Sequence, residues 1–296
     1  MAWAQCKMSQ YYMTGLDGAN IPIDETKRIE LLRLAAENDF PDLDGIYQLG
    51  VVHDPVYSDG NETEVVRSKE KAIVLYKKAA DMGSRRAQDE LAYRYFQEDE
   101  LTGAIHYATL ASGERPYAFN EYGPAKFSAY VLGYAYHYGR GGMETNAYLA
   151  RYYFKIAVQG DVQRAYPRYG EALLDVGDEQ YMNMTKIPGY SPIPKALYWF
   201  RKASKLSCNG CGDPNCWIEK HIRDGKLWLQ KIESEEQMKC AHCMKPATDV
   251  PGKKLKTCGR CTGVWYCGRE CQLGGWKAGH KIDCVKRNAS TEAALH

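Results

Sequence analysis

Eight residues carry the chemistry that is most legible in this 296-residue chain. They fall in four pairs: Cys240-x-x-Cys243, Cys258-x-x-Cys261, Cys267-x-x-x-Cys271 and His280-x-x-x-Cys284. Thiolate sulfur and imidazole nitrogen are zinc ligands, and a two-residue spacer lets both sulfurs of one turn face one ion. Zinc takes four such ligands tetrahedrally, so eight of them make two closed sites. With every position filled by protein, neither ion has room for a reactive water. The metal is therefore expected to be structural.

The rest of the cysteine distribution agrees. Ten of the 11 cysteines lie between Cys208 and Cys284, and only Cys6 is outside. A disulfide framework needs an oxidising compartment. The start, MAWAQCKMSQYYM, lacks the basic-then-apolar order of a signal peptide. The expectation is an intracellular protein, cytoplasmic or nuclear, whose clustered cysteines hold metal. The sequons at Asn61, Asn183 and Asn288 are then accidental. One further group, Cys208-x-x-Cys211-x4-Cys216-x4-His221, has the spacing of a single knuckle-like zinc site. The plainer reading is a loop insertion with three thiols and a surface histidine. His242, inside the first cysteine pair, reads as a bystander.

Nothing in the sequence supports catalysis, and no catalytic or cofactor-binding residue is assigned. There is no G-x-S-x-G elbow, phosphate loop or H-E-x-x-H, and Gly139-Arg-Gly141-Gly142 does not complete a dinucleotide fingerprint. His53, His106 and His137 stand alone in sequence and read as structural or surface residues. Net charge is +2, from 39 basic and 37 acidic residues, so no strong overall field recruits nucleic acid or an acidic membrane. No apolar run approaches the ~20 residues of a membrane span. At 45% hydrophobic and 26% charged the composition is that of an ordinary globular chain, with length for roughly two domains.

The elements that must position the ligands are helices. Residues 20 to about 235 read as helical almost throughout, and they repeat. The clearest echo pairs Lys71-Ala72…Tyr76…Lys78-Ala79-Ala80 with Lys195-Ala196…Phe200…Lys202-Ala203-Ser204. Weaker copies are Arg28-Ile29…Ala35-Ala36, Ala104…Ala111-Ser112 and Leu149…Tyr153…Lys155-Ile156-Ala157. Aligned on Ile29, Ala72, Ala104, Leu149 and Ala196, they fall at the irregular 32-to-47-residue intervals of helix-pair repeats with loop insertions. A second helix lies between copies, best seen at Leu132-Gly133…Tyr136…Gly139…Gly141. Small residues there let antiparallel helices approach closely. Three insertions rich in turn formers, 53–67, 113–123 and 177–194, read as solvated loops.

These residues resemble the Sel-one-like repeat, a relative of the tetratricopeptide repeat. Its L-G-x-x-Y-x-x-G-x-G pattern is met in full from Leu132 to Gly141. The resemblance implies an all-α fold, a helical-repeat solenoid that serves as a binding scaffold. The cysteine-rich segment closely resembles the MYND-type zinc finger, with Tyr266, Cys267, Cys271, Gln272, Trp276, His280 and Cys284 in family order. That resemblance implies a cross-brace. Cys240, Cys243, Cys267 and Cys271 would hold one zinc, and Cys258, Cys261, His280 and Cys284 the other. It also implies a groove for short proline-containing peptides of partner proteins, lined by Gln272 and Trp276. No counterpart of the SET-domain Asn-His-Ser-Cys element, found in methyltransferases with such fingers, is present.

Three features depart from the family. The stretch Met244–Thr257 is long, which should leave Lys253, Lys254 and Lys256 mobile. Gly274, Gly275 and Gly279 lie where a helix should follow Cys271, each costing ~1 kcal/mol against alanine in a helix interior. The polar residue sometimes present between the third and fourth cysteines is Gly259 here.

The expected organisation is an N-terminal segment (1–19), a repeat solenoid (20–235), the finger (240–284) and a tail (285–296). The expected role is a non-enzymatic adaptor between protein partners, with no membrane contact. Two alternatives remain: a nucleic-acid-associated regulator acting through the basic finger, and a finger that only caps the helix near 221–234.

Overall fold

The computed structural model describes residues 1–16, 19–57, 67–112, 125–182, 193–206, 217–236, 239–281, 284 and 286. These residues form twelve α-helices and one two-stranded sheet. The chain divides into two compact units, Met1–Val131 and Leu132–His296. No described helix is long and apolar enough to cross a membrane.

In the first unit, α1 (Ala2–Thr14), α2 (Glu25–Glu37), α3 (Leu43–His53), α4 (Lys69–Asp81), α5 (Arg85–Gln97) and α6 (Leu101–Ser112) each pack on the next in sequence as far as α6, with α1 on α2, α3 on α4 and α5 on α6 the closest pairs. Helix starts are written into the sequence. Asp24, Asp42, Ser68 and Ser84 each accept a hydrogen bond from the backbone N–H three residues on, the N-cap arrangement. The next helix, α7 (Lys126–Tyr138), is capped instead from a distance. Asp89 of α5 accepts from the Ser128 N–H at 2.6 Å.

The core of this unit is Leu32, Ile46, Leu49, Ala72, Tyr76, Ala79, Ala87 and Leu91, drawn from α2 to α5. Tyr76 is fully buried, and its hydroxyl donates to Asp54 at 2.9 Å. Asp54 also pairs with Arg94, which in turn pairs with Glu90. The polar atoms that this core encloses are thus satisfied by one another. The stretch 1–19, read from sequence as a separate segment, contains α1. Its Ala2 and Cys6 are buried against Ala35 of α2.

The second unit continues with α8 (Ala147–Gln159), α9 (Ala165–Met182), α10 (Ile193–Ser204) and α11 (Trp217–Glu236), again packed in sequence order. Asn146 caps α8. One repeat register needs correction. The sequence alignment set Leu149 and Tyr153 opposite Ala72 and Tyr76, but the buried pair is Ala150 and Phe154, each fully enclosed. The buried heptad spacing of Ala150 and Ala157 matches that of Ala72 and Ala79, one residue later than adjacent residue types suggested.

A glycine faces each ring. A Cβ on Gly50 would stand 2.7 Å from the Tyr76 ring, and Gly133 and Gly170 meet Phe154 and Phe200 at the same distance. Of the three, only Gly133 lies in a complete repeat pattern, Leu132 to Gly141. In α5 and α6 the corresponding residues are Ala92 and Ala108, both fully buried. At these positions two alanines stand where the other pairs have glycine and a ring. Gly139 and Gly141, by contrast, have φ of +61° and +62° and turn the chain between α7 and α8.

Candidate metal centre

Residues 240–284 carry the four ligand pairs. The first two pairs sit in turns of the same construction. Met244 N–H donates to the Cys240 carbonyl at 2.8 Å, and Thr262 N–H to that of Cys258 at 2.9 Å. The residue after the second cysteine is left-handed in both, Met244 at φ +60° and Thr262 at +52°. Strands β1 (Lys256–Thr257) and β2 (Trp265–Tyr266) pair antiparallel on either side of the second knuckle, and β2 leads on to the third ligand pair. Ala241 N–H donates to the Trp265 carbonyl at 2.8 Å, which ties the first knuckle to β2. Cys271 lies in α12 (Arg269–Gly275), and His280 ends the π-helical turn Trp276–His280 that follows it.

These elements bring the eight side chains into two groups, Cys240, Cys243, Cys267, Cys271 and Cys258, Cys261, His280, Cys284. Within each group all donor atoms lie within 4.8 Å of one another. The alternation matches the cross-brace implied by the resemblance. Zn–S bonds of about 2.3 Å and Zn–N bonds of about 2.0 Å in a tetrahedron put sulfurs roughly 3.8 Å apart and sulfur from nitrogen roughly 3.6 Å. Here Cys243 and Cys267 are 3.7 Å apart, Cys258 and Cys284 3.8 Å, and Cys261 Sγ is 3.6 Å from His280 Nε2. All the cysteines in both groups are free thiols. Donor chemistry and spacing fit two zinc ions.

The thiolate that zinc requires is favoured at the first cysteine of each knuckle, whereas the sulfurs crowded beside them, Cys261, Cys267, Cys271 and Cys284, are pushed up. Burial pushes the Cys240 thiol up, but the N–H groups of Cys243, His242 and Cys267 point at its sulfur and hold it at about 7. Cys258 is lowered as well, through the Cys261 side chain, His280 and the N–H groups of Cys261 and Arg260. Gly263 N–H donates to Cys261 Sγ at 3.4 Å. The two sites differ in access. Every ligand of the second is buried, whereas Cys243 is exposed and Cys267 and Cys271 are partly so.

Around the ligands, Val250, Leu255, Val264, Trp265 and Tyr266 form a small core. The long stretch 244–257 is therefore held by two apolar anchors, Val250 and Leu255, and by short 3-10 turns at Ala247–Asp249 and Pro251–Lys253. Lys254 and Lys256, on either side of Leu255, are exposed. Two of the three helix-weakening glycines have a packing reason. A Cβ on Gly274 would come within 2.5 Å of the His242 ring, and one on Gly275 within 2.8 Å of Tyr266. His242 belongs to neither ligand group; its ring covers α12.

Sequence reasoning missed one residue. Arg201 of α10 donates to the Cys261 carbonyl at 3.2 Å and to Thr262 Oγ1 at 3.1 Å, which ties the repeat helix to the second knuckle. No sequence signal marks it, because the contact spans sixty residues. Of the third cysteine group, Cys208, Cys211 and Cys216 lie outside the described residues, and His221 is buried in α11.

Comparison with known proteins agrees with this geometry. The MYND finger model matches residues 240–284, and the Sel1 repeat model matches 4–40, 43–84, 127–162 and 171–208. Two solved structures are similar. One is a protective antigen present in uropathogenic Escherichia coli strains that displays an SLR fold, at 22% identity and a TM-score of 0.48, covering 78% of this chain and 45% of that one. The other is a Sel1 repeat protein from Oxalobacter formigenes, at 20% identity and a TM-score of 0.45, covering 79% and 62%. The chain thus spans less than two thirds of either. Sel1 repeats take in just over half of its residues, and the chain belongs to the Sel1-repeat family, joined to a MYND zinc finger.

Proposed function

We propose that the protein is a non-enzymatic adaptor whose repeats, within 20–235 together with α1, hold one protein partner, while the finger at 240–284 takes a short proline-containing segment of another. The observation that carries this reading is the disposition of Gln272 and Trp276. They lie four residues apart, on one face of the helical segment that starts at Arg269. Gln272 is exposed and Trp276 half-buried, with its ring edge-on to His280 at 5.9 Å. An apolar ring beside an exposed amide, on a segment fixed at both ends by metal ligands Cys271 and His280, is a preorganised platform for a rigid, apolar peptide.

The competing nucleic-acid reading rests on the finger's basic side chains, eight against three acidic residues between 240 and 284. Metal loading weakens it. Two zinc ions add four positive charges and seven thiolates remove seven, so a side-chain sum of +5 becomes +2.

The test uses the zinc-loaded full chain against a displayed library of peptides about twelve residues long with one fixed proline. Selected peptides should bind, and Gln272→Ala should weaken them about tenfold with zinc content unchanged. Because Trp276 also packs on His280, Trp276→Ala is read with its zinc content measured. Selected peptides that bind both variants like the wild type would remove the groove. A nucleic-acid ligand whose affinity falls steeply with salt would favour the competitor.

A further inference from the structure

Arg260 stands between the ligands Cys258 and Cys261, and its guanidinium lies over the Trp276 ring, 6.0 Å from the centroid. The residue is exposed and forms no ion pair among the described residues. Lys277, beside Trp276, is exposed too. No described carboxylate of the helix balances this charge. Glu270 precedes Gln272 by two residues, which turns it roughly 200° away around the helix axis. Asp249 lies in the 3-10 turn of the 244–257 stretch, where it accepts from the Thr248 hydroxyl at 3.0 Å.

A guanidinium that lies over an aromatic ring still presents N–H donors, and its fork matches a carboxylate in two parallel hydrogen bonds. The planar fork is itself preorganised, so less side-chain entropy is lost per hydrogen bond formed on binding. The face that offers an apolar ring and an amide therefore also offers an exposed cation at its border. We infer that Arg260 is a specificity-determining residue of the finger, and that the segment bound at Gln272 and Trp276 carries an Asp or Glu beside its proline. The partner is an acidic proline-containing segment of a protein, and a basic or neutral one is disfavoured. This rests on the peptide-binding reading above. Arg260 has one other available task, to balance the net negative charge of the three-thiolate second site, and the test separates the two.

The same fixed-proline library is selected on the zinc-loaded full chain and on Arg260→Gln, with zinc content measured for both. Wild-type selections should be enriched in Asp and Glu near the proline. Arg260→Gln should still select proline-containing peptides, without that enrichment and with its two zincs retained. A selected acidic peptide should bind the variant about threefold to tenfold more weakly, and its amide analogue should bind both proteins alike. Wild-type selections dependent on Gln272 but indifferent to charge would overturn the role of Arg260 and leave the groove standing. So would an unchanged preference in Arg260→Gln, or a variant whose only defect is zinc loss. Selections indifferent to both Gln272→Ala and Trp276→Ala would remove the groove and this inference together.

Discussion

Side chains that decide this fold act in pairs, and the glycine–ring pairs set the tightest limits. Tyr76 cannot retreat from an added methyl at Gly50, because its hydroxyl is held by Asp54 and Arg94 lies over its ring at 5.3 Å. Gly50→Ala should therefore destabilise the first unit by about 1–3 kcal/mol despite alanine's better helix propensity, read by chemical denaturation. A variant as stable as the wild type would mean that the ring has room. The metal ligands make a second contrast at this scale. With Cys243 exposed and the second group fully buried, zinc should leave in two phases under a chromogenic chelator, one ion per phase. Cys243→Ser should abolish the fast phase and spare the slow one. Release of both ions in a single step would refute the difference in access.

Between elements, ionic groups join helices that the chain keeps far apart in sequence. His137 of α7 meets Glu171 and Asp175 of α9, at 3.6 and 3.2 Å. Glu171 also receives Arg168 at 2.8 Å and the Trp228 indole N–H of α11 at 3.0 Å. Burial works against charge on His137, but the hydrogen bonds to Asp175 and Glu171 outweigh it and hold the imidazole at about 9. A histidine raised in the folded state stabilises fully below its unfolded value near 6.5, and that contribution is lost as pH rises through 9. Stability should thus fall by about 1–2 kcal/mol across this window, Asp175 being partly screened by solvent. His137→Gln should flatten the difference; an unchanged slope would place its origin elsewhere. Arg201 supplies the analogous tie between α10 and the finger. Arg201→Ala should speed release of the slow zinc several-fold without altering the fast phase.

At the scale of the molecule, the two kinds of core fail separately. The repeat core of Leu32, Ile46, Tyr76 and Leu91 contains no ligand, whereas Cys240, Cys258, Cys261 and Cys284 are themselves core residues of the finger. Zinc stripping should therefore abolish the near-ultraviolet signal of Trp265 and Tyr266 and leave most of the helical far-ultraviolet signal in place. Cooperative loss of both signals would mean that the repeats depend on the finger. The units divide inside the repeat array, between 131 and 132, because each repeat touches mainly its neighbours and carries no long-range core.

Sequence alone determined whatever depends on residue type at short spacing. The four ligand pairs, the ring and alanine positions of α4 and α10, and the caps at Asp24, Asp42, Ser68 and Ser84 are all local chemistry, complete within one or two turns of chain. Tertiary structure decided what depends on who stands opposite. Whether Leu149 or Ala150 faces the core is a question of helix rotation, which a one-residue ambiguity in pattern cannot resolve and burial does. Gly50 and Gly170 look like ordinary helix-weakening residues until the rings of Tyr76 and Phe200 arrive against them. The glycines of α12 read as defects until His242 and Tyr266 fill the space they leave. Arg201 is one of many surface-like arginines until the second knuckle folds onto it. Each of these is a contact between segments distant in sequence, and no local pattern encodes its partner.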